Sequence, residues 1–312
     1  MSGGRAWIVV PLLLCLAACA GLPRAEYGVA RPPGIPERAE LTDVPFHPQE
    51  ENQCGPAALA TVLDGIGIPR SPQDLTDEVY LPQRQGSLQL EMLAATRRAG
   101  VLAYPLEPQF DALLREIAAG HPVVVLENLR LDILPQWHYA VVVGYDLATD
   151  SIVLRSGRER RLVTAFTDFD RAWAKAGRWA FVALPPDRLP ATAHESDFVA
   201  AAIALERTAP DAARTAYQTA LAAWPKNLIA RIASGNIAYR RHRLSDAESE
   251  YRRATLDHPD AADAWNNLAQ VLHETGKRRE AREAAQRAVT IGGPRRAIYE
   301  STLMTIEAAM AF

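Results

Sequence analysis

At 312 residues the chain is long enough for two domains, each burying a core of its own without disulfide or metal staples. A hydrophobic fraction of 48% with 23% charged residues is that of a soluble globular protein. The formal net charge of -3 provides no basic excess for gripping phosphates, which argues against nucleic acid as a partner.

The N-terminus departs from that average. Arg5 stands in a short polar start, an apolar run follows from Ala6 to Leu16, and small residues continue to Cys19. Such a run is too short to span a bilayer comfortably and precedes a small-residue cleavage site, the pattern of a secretion signal. Leu16-Ala17-Ala18-Cys19 resembles the lipobox of bacterial lipoproteins. That resemblance implies removal of residues 1–18, lipidation of Cys19 and a membrane anchor, and several acyl chains hold where one would not. Ala20 in place of an aspartate is similar to the sorting pattern for the outer membrane, periplasmic face. The alternative is a plain signal peptide cleaved after Ala18 or Ala20. Of the three cysteines, Cys15 leaves with the signal and Cys19 carries lipid, so Cys54 remains as a free thiol that has no disulfide partner.

Residues 19–43 are rich in proline, glycine and charge, and read as an extended tether. From 44 to 190 the pattern changes from helical to strand-like, the order of an α+β domain with N-terminal helices and an antiparallel sheet. Helices are predicted over Cys54 to Ile66, Leu88 to Ala99 and Phe110 to Ala119. Strands are predicted at Val123 to Glu127, His138 to Tyr145, Ser151 to Arg155, Arg161 to Phe166 and Trp179 to Leu184, with a short helix from Asp168 to Lys175. Asp146 to Asp150 reads as the turn of a hairpin.

A Pro-rich break at Leu184-Pro185-Pro186 and Pro190 precedes residues 191–312, where alanine, arginine and glutamate dominate and a 34-residue period appears. Ala213, Ala247 and Ala281 are one period apart, as are Tyr217, Tyr251 and Ala285, then Ala220, Ala254 and Ala288, and Pro225, Pro259 and Gly293. This pattern resembles the tetratricopeptide repeat and implies an all-α solenoid of three repeats, 194–227, 228–261 and 262–295. Pro294 to Ala309 reads as a capping helix presenting Ile298, Leu303 and Ile306. An ordinary alanine-rich bundle would not share a period across three units.

Cys54 opens a helix, where backbone N–H groups and the helix dipole lower a thiol's pKa. Gly55 allows another chain to approach, and Pro56 suits a first turn that needs no donor. The segment from Val44 to Leu59, with Gln49 ahead of Cys54-Gly55-Pro56, resembles the C39 and C39-like cysteine peptidases, as does the strand His138-Tyr139-Ala140-Val141. Across residues 44–184 that resemblance implies a papain-like fold. It also implies Cys54 as nucleophile, His138 as general base and acid, and Gln49 as oxyanion donor. Gln49 precedes Cys54 by one residue fewer than the family spacing implies, so Gln53 and Asn52 stay open as donors. The family's orienting aspartate is replaced by Leu154-Arg155-Ser156-Gly157, with Ser156 the nearest polar candidate to orient the histidine.

No cysteine or histidine pair shows metal-ligand spacing, and no metal or other cofactor is expected. The expected partners are a protein or peptide substrate, a protein held by the repeats and the membrane through the lipid. The leading expectation is a peptidase forming an acyl-enzyme at Cys54. Its rivals are a catalytically degenerate peptide-binding scaffold, and a transpeptidase sharing the same acyl-enzyme.

Overall fold

The structure, a computed structural model, describes residues 32–49 and 53–310. The segment read as a secretion signal, Cys19, the stretch read as a tether up to Arg31, and Asn52 lie outside those residues. The first domain runs through β1 (Arg38–Glu40), α1 (Cys54–Gly65), α2 (Pro72–Val79), a hairpin of β2 (Tyr80–Leu81) and β3 (Gly86–Ser87), α3 (Gln89–Arg98), β4 (Leu102–Pro105) and α4 (Phe110–Ala118). It continues through β5 (Val123–Asn128), β6 (Trp137–Asp146), β7 (Ser151–Ser156), β8 (Glu159–Ala165), α5 (Phe166–Ala174) and β9 (Ala180–Leu184).

The main sheet is antiparallel, in the order β4-β9-β5-β6-β7-β8. Its central strands are buried on both faces, which is why they read as continuous β-branched runs rather than alternating ones. One face, with Val124, Leu126, Tyr139, Val141 and Phe181, packs against α1 and α3. The other, with Val125, Ala140, Val142 and Val182, packs against α4 and α5. The predicted hairpin forms: Asp146 Oδ1 accepts from the N–H groups of Ala148 and Thr149, and β6 and β7 pair on either side.

The tether reading is corrected from its C-terminal side. Arg38 to Glu40 pair with Asp146 to Gly144, continuing the ladder on the edge of β6 that β5 leaves at Val142, while Ile35, Ala39 and Leu41 pack on the core. Gly144 makes room for this strand, since a Cβ there would stand 2.8 Å from the Ala39 carbonyl oxygen. The prolines nearby masked a strand too short to show a period. Helix α2, the short β2–β3 hairpin and strand β4 also escaped the sequence reading. Helix α2 is only eight residues long, although Ser71 and Asp74 form a capping box around Pro72. Strand β4 ends on Pro105, tolerated because β4 pairs only with β9 within the sheet.

Among the described residues seven helices follow: α6 (Glu195–Glu206), α7 (Pro210–Ala223), α8 (Leu228–Arg240), α9 (Leu244–Asp257), α10 (Ala262–Glu274), α11 (Arg278–Ile291) and α12 (Arg296–Ala308). The recurrent Ala213, Ala247 and Ala281 are fully buried, as are Tyr217 and Ala285, with Tyr251 nearly so. Gly235 of α8 faces the Tyr251 ring of α9, where a Cβ would meet Cε1 at 2.4 Å, so the two helices cross at a distance only glycine permits. The capping face is corrected in one place: Ile306 is buried and Leu303 packs beside it, but Ile298 is exposed and Tyr299 covers the last repeat instead.

The Pro-rich segment is a break in composition and not in packing. Phe198, Val199, Leu205 and Tyr217 share one core with Leu102, Tyr104 and Leu184 of the sheet. The buried Glu116 carboxylate of α4 receives the Ala191 N–H together with the N–H and hydroxyl of Thr192, and pairs with His121 at 2.7 Å.

Candidate active site

Helix α1 points its N-terminus at the start of β6. Cys54 is its first residue and is partly exposed, Gly55 and Pro56 behind it are buried, and the apolar run Ala57 to Leu63 drives the helix into the sheet. Gly55 meets β3: a Cβ there would stand 2.2 Å from Ser87 Oγ, so the approach foreseen for this glycine is that of the β2–β3 hairpin. Cys54, His138 and Gln49 line one cleft of about 960 Å³ together with Ser87, Trp137 and Tyr139.

Each side chain is held by the fold. Gln49 donates its backbone N–H to the Gly157 carbonyl at 2.9 Å and its Nε2 to the Tyr139 carbonyl at 3.2 Å. A primary amide has two N–H groups, so one remains for the cleft. His138 Nε2 and Ser156 Oγ are 2.8 Å apart across β6 and β7, which leaves Nδ1 as the ring's other nitrogen. Ser156 is thus brought to the histidine. Gln53 forms the N-cap of α1 without a side-chain bond and is not among the residues lining the cleft. Asp146 and Asp150 sit at the far end of β6 from His138, in the turn.

The expected depression of the thiol pKa is corrected. Burial pushes the Cys54 thiol up, against backbone N–H groups of Tyr139, Gly55 and Cys54 that pull it down. Burial likewise pushes the His138 imidazole down to about 4. Both groups therefore rest neutral near pH 7, and among the described residues no hydrogen bond joins them. The sheet and the hairpin withdraw the sulfur from water, and this desolvation outweighs the backbone hydrogen bonds.

Next to Ser156 on β7, position 155 is occupied by a buried arginine. It faces away from the histidine and donates to the carbonyls of Thr42, Val44 and Arg160, clamping the segment that leads to Gln49. Sequence reading missed the rim of the cleft. Arg84, Arg158 and Lys175 border it, and no carboxylate lines it among the described residues. The β5–β6 connection exposes Leu129, Leu131, Ile133 and Leu134 beside Trp137. Its base is closed by Asn128 Oδ1, which accepts from the N–H groups of Arg130 and Gln136. The run Leu129 to Leu134 is apolar enough to have been a signal, but it resembles a core segment until burial is known.

A thiol at a helix start and an imidazole at a strand start, meeting over one cleft, define the papain-type α+β class. Residues 41–181 match the Peptidase_C39 like family, and residues 198–255 and 232–296 match the tetratricopeptide repeat. The chain carries a C39-like peptidase domain followed by tetratricopeptide repeats. No curated protein matches the sequence. Among solved structures, a protein described as a C39-like peptidase from Bacillus anthracis is 19% identical, at a TM-score of 0.41 over 48% of this chain and 98% of that one. A double glycine motif protease from an AMS/PCAT transporter, in complex with the leader peptide, is 21% identical at 0.35, covering 46% and 91%. The peptidase domain of Streptococcus ComA, a bi-functional ABC transporter involved in a quorum sensing pathway, is 19% identical at 0.38, covering 46% and 98%.

Proposed function

We propose that the chain is a cysteine peptidase whose repeats recruit a protein substrate or partner. The observation that carries this reading is the convergence of Cys54, His138 and Gln49 on one cleft, with the ring fixed through Ser156. The thiol proton passes to His138 Nδ1 as the sulfur attacks the scissile carbonyl. The resulting oxyanion is met by the Cys54 backbone N–H and the free amide N–H of Gln49. His138 then returns the proton to the leaving amine, and water releases the acyl group from the sulfur. Because both partners rest neutral, the ion pair forms on demand rather than standing ready, and substrate must help to create it. The cationic rim and the pinned apolar loop favour an extended peptide with apolar and acidic side chains.

The pH dependence of Cys54 alkylation, with and without His138→Ala, tests the dyad. A rate limb at a pH below the thiol's own ionisation, lost in the variant, is expected. Identical profiles refute it. A peptide-binding scaffold is the second reading, favoured by the neutral Ser156 where the family has an acid; it becomes the account of this domain if Cys54 is inert.

The lipobox-like Leu16 to Cys19 supports a lipoprotein anchored in the outer membrane and facing the periplasm. Metabolic labelling with a fatty acid is expected to mark the chain and to fail in Cys19→Ser. Labelling that persists in that variant removes the anchor.

A further inference from the structure

Glu127 lies in β5 beside the last residue of that strand, and its Cα partner across the ladder is His138. Directly opposed residues of an antiparallel pair project from one face, with Cβ atoms about 4.5–5.5 Å apart. His138 therefore lies between Glu127, its Cα partner on β5, and Ser156 of β7, whose Oγ reaches its Nε2 at 2.8 Å. Glu127 is 4% exposed, and among the described residues its carboxyl forms no hydrogen bond or ion pair. A buried carboxyl without a partner costs stability, and a glutamine or methionine there would spare the fold that cost.

The other ionisable groups on the elements packed against β5 are engaged elsewhere. Strand β9 has none. On and just after α5, Asp168 pairs with Arg171, Asp170 with Arg178, and Lys175 donates to the Arg130 carbonyl. On α4, Asp111 pairs with Arg115 and Glu116 with His121. On α1, which covers the opposite face, Asp64 pairs with His47, leaving Cys54 itself. His138 is the ionisable group opposite Glu127.

Building on the thiol–imidazole reading above, we propose that Glu127 is a positioning residue that supplies the negative charge absent from position 156: its carboxylate stabilises the His138 imidazolium formed when the thiol proton moves to Nδ1. One proton moves from Sγ to the ring, and no other bond changes. Burial raises the Glu127 carboxyl to about 7 and lowers the ring to about 4, so at mildly acidic pH both are neutral. As Glu127 ionises, each charge favours the other, and the thiolate–imidazolium form gains population.

The test is the iodoacetamide reactivity of Cys54 against pH in the purified chain, alongside nitrogen NMR of the His138 ring. The unaltered protein is expected to show a limb near pH 7. Glu127→Gln should abolish that limb, lower the rate at pH 7.5 by tenfold or more, and make the ring titrate at lower pH. Glu127→Asp should retain most of the rate, and Ser156→Asp should restore it in the Glu127→Gln background. A Glu127→Gln profile superimposed on the unaltered one, while His138→Ala loses the limb, overturns the role of Glu127 and leaves the dyad standing. If His138→Ala also superimposes, the dyad itself fails.

Discussion

His138 Nε2 and Ser156 Oγ stand 2.8 Å apart, so the imidazole is oriented through one nitrogen by a neutral hydroxyl. In the proposed mechanism, orientation and charge stabilisation are divided between two residues: Ser156, bonded to the ring, and Glu127, facing it from β5. Losing the hydroxyl removes a bond of about 1 kcal/mol and frees the ring to rotate. Ser156→Ala is expected to lower kcat about tenfold with little change in KM, whereas Ser156→Asp is expected to raise kcat, both read on a peptide substrate.

Gln49 tests the oxyanion role apart from the thiol's reactivity. Removal of one such donor costs about 10²–10³ in kcat. Gln49→Ala should show that loss on peptide substrates while Cys54 alkylation by iodoacetamide, which develops no oxyanion, changes less than threefold. Equal losses in both assays would instead indicate a displaced Cys54.

The tight approach of α1 to the hairpin predicts a steric effect beside the nucleophile. A Cβ on residue 55 would stand 2.2 Å from Ser87 Oγ and 2.6 Å from its Cβ. Gly55→Ala is expected to destabilise the fold by about 1–3 kcal/mol. Much of that should return in Gly55→Ala with Ser87→Gly, measured by denaturant unfolding.

Glu116 makes the junction of the two domains sensitive to acid. Burial pushes its carboxyl up, but the bonds from His121 and Thr192 prevail and hold it below the ordinary carboxylate range. Its contribution is therefore complete above the unfolded value of about 4.3 and is lost as pH falls through the lower folded value. Glu116→Gln should cost about 1–3 kcal/mol at pH 7 and flatten the loss of stability on acidification. A variant whose stability falls with acid as steeply as the unaltered chain would assign that slope to other carboxylates.

Within the solenoid, Gly235→Ala places a methyl group 2.4 Å from the Tyr251 ring. A loss of about 1–3 kcal/mol is expected. Cys54 alkylation should remain unaffected if the strain stays within the repeats, as the separation of α8 and α9 from the cleft requires.

Much of the architecture was legible because its signals are local. Gly55-Pro56 before an apolar run announced α1, short apolar runs announced β5 to β7 and β9, and the 34-residue period announced the helix pairs. Glutamine, thiol and imidazole were recognisable as residue types suited to acyl transfer. β1 was hidden because three residues among prolines and charge form a strand only when β6 offers an unpaired edge. The exposed loop from Leu129 to Leu134 was equally opaque, since apolar composition does not reveal whether a segment is covered.

The sequence by itself determined which segments form helices, strands and repeats, and which side chains are capable of the chemistry, because propensity, periodicity and functional groups belong to neighbouring residues. The tertiary structure alone decided the state of those groups. Desolvation at Cys54 and His138 depends on what remote segments cover them, so a helix-start thiol rests protonated. The pairing of Glu127 with His138 depends on strand register, which couples residues through the ladder rather than along the chain. The junction with the solenoid depends on a buried carboxylate of α4 meeting backbone donors 75 and 76 residues later.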